Sequence, residues 1–248
     1  MSFLKKIGKR IHWQILRPIA VFVFHHVSDE HDPLICGKED WTQNDVFKQR
    51  LLHLKKDYIF ISMQEAITHL KQDKFRFKNF AVLTADDGLR STYELLPWLI
   101  ENNIPITLFI SPKYLDGRSY VPIDELRVRA QYPDADMEEI ASRMFITPEQ
   151  LQSLTTPLVT VASHGYAHID AANLSEHDFE RDVLTAKKVI ENHPLYKPYF
   201  AYPWGRHSAN TDELLIQKGL LPVLCDGKLN YKWNGVISRL CIDNMVIE

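Results

Sequence analysis

The chain has 248 residues, with 29 Lys and Arg against 32 Asp and Glu (formal net charge −3), 45% hydrophobic and 25% charged. That balance belongs to a folded globular protein and excludes a disordered, collagen-like or disulfide-dense chain. The slight acidic excess leaves no basic surplus to neutralise phosphates, which excludes a dedicated nucleic-acid binder.

Residues 1–18 open the chain as a basic amphipathic segment. Phe3, Leu4, Ile7, Ile11 and Ile15 fall on one helical stripe, with Lys5, Lys6, Lys9 and Arg10 beside it. Such a stripe either docks on an anionic membrane surface or packs on its own domain, the commoner use. The apolar run at 11–27 is interrupted by His12, Gln14, Arg17 and Pro18, so neither a secretory signal nor a bilayer span is read there. From Ile19 onward, β-rich runs at 19–25, 58–61, 80–84, 106–110, 158–163, 199–202, 221–225 and 236–239 alternate with helical patterns. The helical patterns cover 44–56, 63–71, 89–102, 148–154, 175–192 and 211–218. Strands separated by helices imply a parallel sheet. About eight such units predict a single-domain, closed or nearly closed β/α barrel over 19–248. Its largest interruption, 111–157, includes a strongly charged stretch at 123–140 and reads either as a cover for a cleft or as a surface excursion.

The polar residues that matter gather just past the strand ends, where such a barrel carries its catalytic groups. The first run ends at His25 and His26, and the third leads into Asp86-Asp87-Gly88. The fifth leads into His164-Gly165-Tyr166-Ala167-His168, the sixth into Tyr202-Pro203-Trp204-Gly205, and the last ends near Arg239. Adjacent carboxylates repel unless a cation lies close. Asp86 and Asp87 therefore read as a functional pair, although one of them also suits a helix N-cap. His164 and His168 stand four apart, a spacing at which a short helical turn sets both imidazoles on one face to chelate a divalent ion. With one Asp they define a two-histidine, one-carboxylate site with positions left for water and substrate.

These residues carry a resemblance. TADDG (84–88), SHGYAH (163–168) and FAYPWG (200–205) resemble the first three motifs of the polysaccharide deacetylases, the NodB-homology fold grouped as carbohydrate esterase family 4. VFVFHHVSD (21–29) resembles the N-terminal YHxV-type motif of the branch that includes poly-N-acetylglucosamine deacetylases. The resemblance covers roughly 22–239 and implies a distorted β/α barrel. It implies that Asp87, His164 and His168 bind a divalent metal, most often zinc, with Asp86 as general base toward the water the metal activates. His25 would protonate the departing amine, the Trp204 backbone N–H following Pro203 would help hold the oxyanion, and Arg239 would orient Asp86. Tyr166, Tyr202, Pro203 and Trp204 are expected at the substrate, with Tyr166 and Trp204 either stacking on a sugar ring or filling the barrel mouth. The chain departs from the pattern at Ala85 (usually Phe), Ala201 (often Arg) and Trp204 (commonly Tyr), and it has no DxxxW motif.

The expected reaction is metal-dependent removal of an N-acetyl group from an amino sugar in a glycan or glycan precursor. A degenerate glycan-binding barrel is disfavoured by the intact Asp86, Asp87, His164, His168 and His25. A non-haem iron oxygenase shares the two-histidine, one-carboxylate set but gives the tandem Asp and the PWG segment no role. Cys36, Cys225 and Cys241 form neither a CxxC pair nor a disulfide framework and are expected as reduced thiols packed as small hydrophobes. With the absence of a signal segment, this predicts a cytoplasmic protein, at the inner membrane surface where the basic segment docks. Of 11 histidines, His26 is expected to pack or hydrogen-bond beside the site. His12, His31, His53, His69, His177, His193 and His207 have no partner in sequence and are expected mostly in solvent.

Overall fold

The computed structural model describes residues 17–29, 41–72, 76–120, 122–243 and 245. The first stave, β1 (Ile19–Phe24), is apolar at every position and buried throughout, as a strand covered on both faces must be. Two short strands at the rim, β2 (His26–Val27) and β3 (Trp41–Thr42), pair in parallel. Helix α1 (Asn44–Asp57) leads to β4 (Tyr58–Phe60), and α2 (Met63–Lys71), opened by a Ser62/Glu65 capping box, leads to β5 (Asn79–Ala85). Then come α3 (Arg90–Glu101), β6 (Ile106–Ile110), and the long connection with α4 (Pro122–Gln131), α5 (Met137–Met144) and α6 (Pro148–Gln152). The chain continues through β7 (Val159–Ser163), α7 (Glu176–Ile190), β8 (Tyr196–Ala201), α8 (Ala209–Gln217) and β9 (Leu221–Leu224). It ends in β10 (Ile237–Ser238) and β11 (Leu240–Cys241).

All the strands named here pair in parallel, and eight of them lie in the order β10-β9-β8-β7-β6-β5-β1-β11. The last strand is split at Arg239. Its first half pairs with β9 (Ile237↔Val223), and its second half pairs with β1 (Phe22↔Leu240), so the two halves bring the ends of the sheet together into a barrel. Seven staves each send a side chain into one cluster that includes Val21, Val82, Phe109, Ala162, Ala201, Val223 and Ile237. This is the filled interior of a small barrel. A second cluster, containing Phe22, Leu83 and Leu108, joins the outer strand faces to the helices through residues such as Leu51, Leu96 and Leu151.

The expected barrel is present, with differences in its staves. The run at 58–61 is no stave: β4 flanks only the lower half of β5 (Tyr58↔Asn79), while β6 takes the upper half (Leu83↔Ile106). The strand expected to stop at Arg239 resumes beyond it, because that arginine is 1% exposed and turned onto interior groups. Segment 111–157 carries its own apolar cluster of Val128, Met137, Ile140 and Met144 against Leu89 and Tyr114. It then straps onto the main chain, as Ile146 N donates to Gly88 O at 3.0 Å and Phe145 bridges Leu89. The amphipathic stripe at 3–15 and Cys36 lie outside the described residues. Among the described residues no helix is long and apolar enough to cross a membrane.

Candidate active site

The site forms at the carboxyl ends of the staves. Asp86 N donates to Phe24 O at 3.2 Å, extending the β1–β5 ladder one residue past the strand and fixing where Asp86 begins. Asp87 and Gly88 both then adopt φ 71°, turning the chain sharply away. Non-glycine residues in this region carry strain of about 1–3 kcal/mol each. The described residues include four: Asp87, Asn103, His168 and Trp204. Three of them lie together here, so the local strain is concentrated at the site. Ala85, departing from the expected Phe, shares a buried cluster with Leu108 and Ile146, so the strapped segment fills the space behind the Asp pair.

Asp87 Oδ1 lies 3.3 Å from His164 Nε2 and 3.2 Å from His168 Nε2. These ligand atoms are all within 4.8 Å of one another. His164 Nδ1 donates to Ala201 O at 2.9 Å, and a carbonyl only accepts. The proton is therefore fixed on Nδ1, and the Nε2 lone pair faces the carboxylate oxygen. Asp87 Oδ1 itself is buried without a well-formed hydrogen bond. One carboxylate oxygen facing two imidazole nitrogens is a donor set that zinc and similar divalent ions take. Burial pushes Asp87 upward, but His168 and His164 together hold it well below the usual carboxylate range.

Asp86 is treated differently. Arg239 donates to both its oxygens, Nη1 to Oδ1 at 2.6 Å and Nη2 to Oδ2 at 2.8 Å. Nη1 also reaches Thr84 Oγ1 at 3.2 Å, and the guanidinium lies over the Phe109 ring. Burial raises the Asp86 pKa, but the Arg239 charge and fork, with His164, bring it below the ordinary value. A bidentate pair of this kind sets orientation as well as ionisation. On the opposite side His25 Nδ1 is 2.9 Å from Asp243 Oδ2. Burial lowers the imidazole, yet the hydrogen bond to Asp243 and the charges of Asp87, Asp86 and Asp243 raise it to about 9.

Asp243, Arg50 and Asp182 were not singled out in the sequence. Arg50 donates to Ile242 O (2.8 Å) and Asp243 O (2.9 Å), holding the main chain that presents the Asp243 carboxylate. Asp182 accepts from Tyr166 N (2.8 Å) and Ala167 N (3.0 Å). A signal existed for two of them: Arg50 sits on the buried stripe Phe47–Leu51 of α1, and Asp182 on the stripe Phe179, Val183, Ala186 of α7. A charged residue on an apolar helical face needs a partner.

Asp86, Asp87, His164, His168, His25 and Arg239 come together as a constellation. Several expectations are corrected. The His164–His168 segment is not helical: Gly165 (φ 73°) and His168 (φ 50°) leave the right-handed region, so both imidazoles are aimed from a loop. Trp204 is half exposed with its ring edge-on to His168, 4.5 Å between centroids, and Tyr166 is partly exposed on the loop. Tyr202 does not join them. Its ring is buried among Phe179, Phe200 and Leu214, and its hydroxyl donates to Asp212 at 2.7 Å. Pro203 is also buried. Cys225 and Cys241 are free, exposed thiols rather than core residues, because both stand at upper strand ends where the barrel opens. His26 is buried with Nδ1 3.0 Å from Ser91 Oγ, as expected of a packing neighbour. His193, expected in solvent, is buried with Nε2 3.0 Å from Leu151 O.

Comparison with solved structures finds IcaB from Ammonifex degensii at TM-score 0.73 and 22% identity, covering 91% of this chain and 92% of that one. The de-N-acetylase from Aggregatibacter actinomycetemcomitans follows at 0.69 and 17%, covering 92% and 97%. The Streptococcus pyogenes deacetylase PplD in complex with acetate gives 0.66 and 18%, covering 92% and 94%. At these identities the likeness shows a shared fold. No curated protein sequence matches. The family profile described as polysaccharide deacetylase matches residues 76–223, more than half of the chain. That segment holds both aspartates, both loop histidines and the PWG turn, and on this match the chain belongs to the polysaccharide deacetylase family.

Proposed function

We propose that the protein hydrolyses the N-acetyl group of an amino sugar in a glycan or glycan precursor, with a divalent metal, most often zinc in this family, held by Asp87, His164 and His168. The observation that carries this reading is the division of labour between neighbouring carboxylates. Asp87 faces two imidazole nitrogens, while Asp86 is held ionised by a two-pronged arginine. A bound ion supplies Lewis-acid polarisation of the amide carbonyl and acidifies water.

The chain's own residues supply the rest. Asp86 accepts a proton from the attacking water, and Arg239 keeps its carboxylate aimed and charged at neutral pH. His25, protonated through Asp243, donates a proton to the amine nitrogen, which leaves poorly without one. The Trp204 N–H, on a turn opened by Pro203 and held at φ 54°, serves as a donor to the oxygen on which charge grows. The exposed Trp204 ring and Tyr166 offer faces on which a sugar stacks. The test is release of acetate from a panel of N-acetylated sugars and glycans with defined divalent metals. Wild type should release acetate and Asp86→Asn should not; a metal-loaded wild type inert on the whole panel would favour a binding barrel, and oxygen uptake with ferrous iron the oxygenase.

We infer in addition that the protein works in the cytoplasm at the inner membrane surface. The barrel's closed end carries Phe77, 84% exposed, next to exposed Lys78, Lys71 and Tyr231. Arg76 ties this corner together by donating to Arg17 O, His69 O and Tyr231 O. Exposed aromatic rings among lysines suit an anionic lipid surface.

A further inference from the structure

The histidine loop lacks the support a helix would have given it. Its residues make no helical ladder, and two of them, Gly165 and His168, have positive φ. Something outside the segment must therefore hold the two imidazoles at their separation. Ser111 Oγ donates to His164 O at 3.0 Å, and Tyr114 Oη donates to Ala167 O at 2.6 Å. These hydroxyls take carbonyls. Of the three amides between the ligands, Gly165 N donates to Ser163 Oγ at 3.3 Å and the other two go to one carboxylate: Asp182 Oδ2 accepts from Tyr166 N, and Oδ1 accepts from Ala167 N.

We propose that Asp182 is a positioning residue for the metal ligands: its carboxylate is the template on which the 164–168 loop is folded so that His164 and His168 reach Asp87 together. The proposal rests on the metal-site reading above. Asp182 is 7% exposed and stands on the apolar stripe of α7, where a charge has no reason to sit unless its hydrogen bonds repay its desolvation. The loop has adapted to it. A Cβ at Gly165 would stand 2.6 Å from Asp182 Oδ2, so glycine is needed there for the close approach as well as for φ. The carboxylate spans adjacent amides, and an asparagine in its place keeps one acceptor but turns an NH2 toward the other N–H.

The test compares wild type, Asp182→Asn, Gly165→Ala and the double variant, reading zinc affinity by chelator competition and the visible spectrum after cobalt substitution. Loss of a partner that orients metal ligands typically costs 10–100-fold in affinity. Each single variant should therefore bind zinc about 10–100-fold more weakly, with a changed cobalt spectrum. Their metal-free unfolding midpoints should stay within about 4 °C of wild type. Because both changes break the same contact, the double variant should lose less than the product of the two single effects. Wild-type affinity with an unchanged cobalt spectrum in both single variants would overturn this inference alone. So would multiplicative losses in the double variant, or losses matched by an equal loss of metal-free stability. A wild type that binds no divalent ion would overturn it together with the metal reading.

Discussion

Replacing Asp243 by Asn should weaken the hydrogen bond, and remove one of the charges, that keep His25 protonated. Burial alone would depress the imidazole; the 2.9 Å hydrogen bond to Asp243 and the surrounding carboxylates instead raise it from 6.5 to about 9. At about 1.4 kcal/mol per tenfold, that interval is about 3 kcal/mol in favour of the imidazolium. With Asn in place that hydrogen bond and charge are lost while the Asp86 and Asp87 charges remain, so the pKa should fall from about 9 toward the ordinary imidazole value and the protonated fraction at pH 8 should drop below about nine-tenths. If His25 is the acid, kcat/KM at pH 8 should fall, by at most about 30-fold for a complete return to 6.5, with the alkaline limb of the profile displaced toward lower pH. Both proteins must be compared in one metal state, since a bound cation lowers the imidazole in each. The sign for stability follows from a raised folded-state value. The pair stabilises the metal-free chain fully below pH 6.5, and that contribution is lost as pH rises through about 9. Asp243→Asn should show a shallower slope. Superimposable alkaline limbs and an identical His25 titration by NMR in the two proteins would refute the reasoning.

Other consequences can be checked in parallel. Arg239→Met strands Asp86 in the interior without its partner, and breaking a buried pair this way should cost about 3–5 kcal/mol in chemical denaturation. Arg239→Lys keeps the charge but not the fork and should recover part of the stability and less of the rate; Arg239→Met with wild-type stability would contradict the pairing. His168→Ala removes one ligand while leaving the barrel core untouched, so metal content by mass spectrometry should fall to background with little change in fold by circular dichroism. Phe77→Asp with Lys78→Glu should weaken co-sedimentation with phosphatidylserine vesicles at low salt without changing the rate on a soluble substrate. Equal sedimentation of variant and wild type would remove this corner from any membrane contact.

Much of this was readable in the chain itself, and what was not has physical causes. Asp86-Asp87, His164 and His168 are legible because each group follows an apolar strand directly, where a polar cluster has no packing purpose. Arg239 was legible as a residue but misleading as a boundary: a charge inside a short strand reads as its end, whereas here it turns inward to Asp86 and β11 follows. The histidine spacing suggested a helix because four apart is the helical repeat; Gly165 and His168 instead have positive φ, and the two amides between them are held by Asp182, a tertiary partner no local pattern contains. Asp243 stands 218 residues from His25, so only closure of the barrel by the split last strand brings them together. Tyr202 sat inside a motif yet faces the α7–α8 cluster, since residues alternate sides along the strand end that carries it.

On the proposed function, a divalent metal held by Asp87, His164 and His168 and a base at Asp86 together remove acetate from an amino sugar. The most direct measurement is stoichiometric acetate and free-amine release from an N-acetylated glycan by the metal-loaded, chelated and reconstituted protein, alongside Asp86→Asn carrying the same metal. The loaded wild type should give equal acetate and amine, none after chelation and full release again on adding the ion back, and Asp86→Asn should give none despite full metal occupancy. Release that survives chelation, or that Asp86→Asn supports at the wild-type rate, would contradict the proposed function.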